Sequence, residues 1–110
     1  MLSRFNLKPE FQIQAFRKSY NQFVERLVLL DLAVETGKIG RRIHDTPMDT
    51  DATNAPEYYC IMTFRNRDQL DRAYAYIADG ADGNATKLDL DLHHQIYEAV
   101  ENPVFTCWQD

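Results

Sequence analysis

The stretch KLDLDLHHQIYEAV, residues 87–100, sets two adjacent histidines among acidic side chains, the residue types that hold metal ions or exchange protons. Read as a helix, it disperses them. Leu88, Leu92, Ile96 and Ala99 fall on one face, with Val100 at its margin. At about 100° per residue, His93 lies on the flank of that face and His94 on the solvent side, so the imidazoles point apart. The pairs that face each other are Asp89 with His93 and Asp91 with His94, with Glu98 one turn beyond. A zinc site needs a third ligand from elsewhere, and the only other histidine is His44. The segment therefore reads as a surface helix rich in titratable groups, with no metal and no cofactor.

Other motifs fail on spacing. In DTDATN, Asp49 and Asp51 open like a calcium loop, but Thr53, Asn54 and Cys60 stand where ligands, a glycine and the closing glutamate belong. DGADGN has no matching series either, and both segments read as turns. GKIGRR lacks the glycine spacing of a phosphate-binding or dinucleotide loop. An RNA-recognition motif would place a basic residue and a glycine ahead of stacking aromatics. EYYCIMTF has Glu57 and Tyr58 there and Ile61 in an aromatic slot, although Tyr59 and Phe64 would fit.

Bulk properties narrow the classes further. The chain has 110 residues, 45% hydrophobic and 12% aromatic, enough for one domain with a core. Its net charge of −5 disfavours nucleic-acid phosphate. The strongly apolar run Leu27–Leu30 is stopped by Asp31, far short of the roughly 20 residues of a membrane helix. MLSRFNLKPEF lacks the apolar centre of a secretory signal. A cytoplasmic protein with no nucleic-acid or membrane partner is expected.

Hydrophobic periodicity supplies the elements. Residues 2–7 alternate, with Leu2, Arg4 and Asn6 on one side and Ser3, Phe5 and Leu7 on the other, as a strand requires. Pro9 suits a first helical turn. Ile13, Phe16, Tyr20, Phe23, Val24 and Leu27 then mark a long amphipathic helix ending near Leu30 or Asp31. Residues 32–43 read as a second strand, with Gly37 or Gly40 making a bulge; a hairpin at Gly37–Lys38 is the alternative. After a polar loop, EYYCIMTF at 57–64 is a strand apolar on both faces. Asn66 and Gln69 form a capping-box pattern for a helix with Leu70, Ala73, Tyr74 and Ile77 inward, stopped by Gly80. A third helix spans roughly 86–101, and PVFTCWQ at 103–109 closes as a strand begun by a proline.

This order predicts an α+β fold: a ferredoxin-like βαββαβ sandwich with an extra helix, 86–101, before the last strand. Strands 2–7 and 57–64 would be central, with 103–109 and 32–43 at the edges. One set of strand 57–64, either Tyr58, Cys60, Met62 and Phe64 or Tyr59, Ile61 and Thr63, must then lie on a face without helices. The long first helix, the two-faced third strand and the aromatic VFTCW resemble the small dimeric α+β barrel proteins. That superfamily includes stress-responsive barrels and antibiotic-biosynthesis-type monooxygenases. The resemblance implies a homodimer in which two bare sheet faces close one barrel. No catalytic signature transfers residue by residue. Cys60 and Cys107 would flank strand 2–7, about two strand spacings or 9–10 Å apart, so free thiols are expected.

In such a barrel Arg4 and Asn6 would point inward. Arg41, Arg42 and His44 close the second strand with positive charge, and Phe16, Tyr20, Phe23, Met62, Phe64, Phe105 and Trp108 offer apolar walls, with Tyr58 as a further candidate ligand contact. Basic anchors beside an apolar cavity suit a fatty-acid-like carboxylate. The favoured expectation is a small-molecule-binding dimer. The alternatives are a cofactor-independent monooxygenase-like enzyme and a non-catalytic protein-interaction module.

Overall fold

The computed structural model describes residues 1–50, 56–78 and 86–110. The chain runs β1 (Leu2–Leu7), α1 (Ile13–Leu29), β2 (Glu35–Thr36), β3 (Gly40–Arg41), β4 (Tyr58–Thr63), α2 (Arg67–Ala78), α3 (Lys87–Ala99) and β5 (Val100–Thr106). The fold is α+β, with three helices and an antiparallel five-stranded sheet in the order β2-β4-β1-β5; β3 also pairs with β4. The expected strand order is the observed one. Gly80 and the DGADGN segment lie outside the described residues, as does most of DTDATN.

The predicted second strand is a bulged edge rather than a hairpin. Between Thr36↔Met62 and Gly40↔Tyr59 it spends four residue steps against three on β4. A Cβ at Gly40 would run into the Tyr59 ring, so the missing side chain is what lets that ring lie over the edge. On the other side, β5 starts directly from α3 at Val100 rather than at Pro103. Pro103 sits instead where β5 spends three steps against two on β1, beside Asn102 at φ 52°. A bulge on an edge strand is where a residue without an N–H does least harm.

Pro9 does not enter α1 either. It follows Lys8 in a turn closed by Phe11 N–H on the Lys8 carbonyl, and the helix starts at Ile13. α1 ends as its apolar spacing requires. Asp31, at φ 58°, lets Leu32 N–H bond the Leu27 carbonyl and Asp31 N–H bond that of Val28, the paired closure of a Schellman cap. Leu27 and Leu32 are both buried, so the cap carries its usual apolar contact.

The core lies on one face of the sheet. Phe5, Cys60 and Met62 turn toward Phe16, Tyr20, Phe23, Val24 and Leu27 of α1, with Leu92 and Ala99 of α3. Phe5 packs on Phe16 at 5.1 Å between ring centroids and on Tyr58 at 5.8 Å. The smallest principal extent is 19 Å, the thickness of one sheet and one helix layer.

α3 packs along α1: Arg26 bonds Asp89, Ser19 bonds Gln95, and Phe23 meets the His93 ring. α2 is tied to the end of α1 through Asp31 and to α3 through Tyr76. The buried stripe of α2 is Gln69 and Ala73, flanked by Tyr76 and Ile77, while Tyr74 is exposed. The inward face of α3 is also rotated from expectation, with Asp89 buried and Leu88 outside.

Candidate functional site

The sheet divides the ten predicted site residues. Paired residues of adjacent strands share a face. Thus Arg4, with its partners Tyr59 and Val104, and Leu2, with Ile61 and Thr106, lie on the face opposite the described helices. Tyr59 and Ile61 are 46% and 47% exposed in the single chain, and Val104 is exposed beside them. Asn6 is half-buried, and its Oδ1 accepts the Glu57 N–H at 2.8 Å. Phe16, Tyr20 and Met62 are buried on the opposite side among the helices, with Tyr58 at their margin. The Tyr20 hydroxyl is 2.8 Å from the Thr36 hydroxyl, and burial holds the phenol well above its ordinary range.

The remaining candidates stand apart. Arg41 is exposed at the end of the edge strand. Arg42 grips Asp49, its Nε donating to Oδ2 at 3.0 Å. His44 Nε2 lies 2.7 Å from Glu57 Oε1 in an exposed pair. Trp108 is exposed, and its indole N–H donates to Thr106 Oγ1 at 2.8 Å. None of the ten lines either of two depressions that run along α1. Both cysteines are free; burial pushes the Cys60 thiol up, which makes it a poor nucleophile.

The acidic helix does not hold a metal cluster: among the described residues no three ligating side chains converge. Asp89 does not meet His93. Its carboxylate is fully buried and receives Arg26 Nε at 2.8 Å, Arg26 Nη2 at 3.4 Å and the Tyr76 hydroxyl. Burial alone would raise its pKa. The hydrogen bonds from Arg26, Tyr76 and Thr86 outweigh that and hold it below the usual carboxylate value. Thr86 caps α3 by accepting the Asp89 N–H at 3.2 Å, so the carboxylate also sits in the favourable first turn. An apolar stripe drawn through the leucines could not show this, because the partner cation is 63 residues away.

The histidines separate as their spacing requires. His94 is exposed and lies 3.7 Å from Glu98. His93 sits between Phe23, at 5.5 Å, and Tyr97, at 5.6 Å, in a row of rings that continues to Phe105. Burial and then the neighbouring His94 lower its pKa. A base depressed in the folded state binds protons more readily when unfolded. Its contribution is therefore complete above the unfolded value, about 6.5, and is lost as pH falls through the folded value. Urea midpoints at pH 7.5 and 5.5 are expected to fall more in the wild type than in His93→Phe. Equal falls would remove His93 from the acid response.

Taken together, these placements define an α+β protein whose described helices lie on one side of the sheet and whose other face carries apolar side chains around Arg4. The chain matches no protein-family model, and no curated protein is significantly similar to it. Among the described residues no helix is long and apolar enough to cross a membrane.

Proposed function

We infer that the protein acts as a homodimer joined through the open sheet face, in the manner of a ferredoxin-like dimeric α+β barrel, and that the enclosed space binds a small apolar or amphipathic molecule. The observation that carries this reading is the row Leu2, Tyr59, Ile61 and Val104 around Arg4 on a face that, among the described residues, no helix covers. Large apolar side chains grouped on a sheet face usually mark an interface or ligand surface. A twofold axis there would cover each copy's row with the other's. The walls of the ligand space would then be these open-face residues, with Arg4 as the anchoring cation, since Phe16, Tyr20 and Met62 are spent on the core of each chain. The role is binding without catalysis.

Light scattering after size exclusion tests it directly. At micromolar concentration the wild type is expected at twice the mass of the chain and Ile61→Lys at the single-chain mass, with unchanged circular dichroism. A wild type running as a single chain, or a dimer indifferent to Ile61→Lys, would overturn the reading.

A further inference from the structure

The outer edge of the sheet carries a second feature, on the helix side. α1 and the bulged edge strand enclose a depression of about 150 Å³ lined by Arg17, Asn21, Thr36, Gly37, Lys38 and Ile39. Arg17 lines it, and its Nε is buried with no hydrogen-bond partner. Buried donors are almost always paired, and one on a guanidinium is an unusual thing to leave unmet. Among the described residues no ion pair includes Arg17 or Lys38, in a chain whose net charge is −5.

The depression continues past Asn21 and Thr36, which line both spaces. Beyond them lies an open groove of about 490 Å³ walled by Val24, Val28, Leu29 and Val34, with Glu25 and Glu35 alongside. Its volume falls within the roughly 300–1,000 Å³ of small-molecule sites. The furrow is therefore polarised, with two cations at one end and an apolar wall flanked by carboxylates at the other.

We propose that this furrow binds a small amphipathic anion, its carboxylate or phosphate group on Arg17 and Lys38 and its hydrocarbon part along Val24, Val28 and Val34. A guanidinium offers parallel N–H donors that match either oxyanion. Glu25 and Glu35 set the direction, since an anionic head is repelled from their end and drawn to the other. The furrow is built by α1 and the edge strand, so it does not depend on the dimer.

The test is a titration of the full chain followed by amide chemical shifts, with octanoate, octyl phosphate, inorganic phosphate and octanol as probes. Octanoate or octyl phosphate is expected to move Val34, Gly37 and Ile39 at concentrations where inorganic phosphate and octanol do not. Whichever of the two binds more tightly identifies the head group. Arg17→Gln is expected to weaken binding at least tenfold and Arg17→Lys less, with Val28→Asp weakening it independently. Shifts absent from Val34–Ile39, or Arg17→Gln binding unchanged, would overturn the site. Shifts at Tyr59 and Ile61 instead would reject this furrow while supporting a ligand space on the open face.

Discussion

Asp89→Ala is expected to destabilise the protein by about 3 kcal/mol, the low end of what breaking a buried ion pair costs, and to lower the melting temperature by roughly 10–20 °C. The low end applies because the Arg26 side chain is 29% exposed and can recover part of its hydration. The loss still exceeds a surface ion pair because the Asp89 side chain is fully buried and also receives Tyr76, so three helices lose one shared acceptor. Asp89→Asn preserves the shape and should cost less. The depressed carboxyl contributes its stability above about pH 4 and loses it as pH falls through the folded value. The acid limb of the stability curve should therefore be flatter in Asp89→Asn. A fall of only a few degrees in Asp89→Ala would show that the network is dispensable.

Gln69 carries the second large effect. It is fully buried, its Oε1 accepts the Arg65 N–H at 2.6 Å, and its Nε2 donates to the Asp31 carbonyl at 3.2 Å. Gln69→Ala leaves the Arg65 N–H without its partner and the Asp31 carbonyl with only the longer bond from Arg72 Nη1 at 3.4 Å, and it opens a cavity; an unmet group that stays dry costs about 1–3 kcal/mol. A total near 2–3 kcal/mol is expected, since water entering the space recovers part. Gln69→Leu restores volume but neither bond. If both variants fall together in urea unfolding, hydrogen bonding is the cause; recovery in Gln69→Leu would assign the loss to packing instead.

These two residues also show where sequence reasoning reached and where it stopped. The start and cap of α2 and the divergence of His93 and His94 follow from local spacing, which also offered the bulged edge beside a hairpin; the strand order and one-sided layering follow from the βαββαβ topology that the element order suggests. The errors came from partners far along the chain. Asn66 caps α2 through Gln69 N–H as expected, but the Gln69 side chain reaches Arg65 N–H and Asp31, one residue off the capping-box target. Asp89 turns inward because Arg26 and Tyr76 await it, a choice that no apolar stripe encodes. For the candidate site, alternation placed Arg4 on the open face. It could not settle which set of the 58–63 strand would join it, and the core claimed Met62, Phe16 and Tyr20 once Tyr59 and Ile61 turned outward. The Arg17–Lys38 furrow was invisible because its walls come from a helix flank and a bulge, neither of which leaves a motif.

The central place of β1 governs the order in which the molecule can be made. Its neighbours on the sheet, β4 and β5, are synthesised some fifty and a hundred residues after it. Until both have left the ribosome, the apolar side of Phe5 and the facing stripe of α1 have little to close on. The nascent chain must therefore carry that helix exposed until about a hundred further residues have been made, with folding waiting on long-range strand pairing. Holding chaperones, rather than early domain formation, would guard β1 and α1 in that interval.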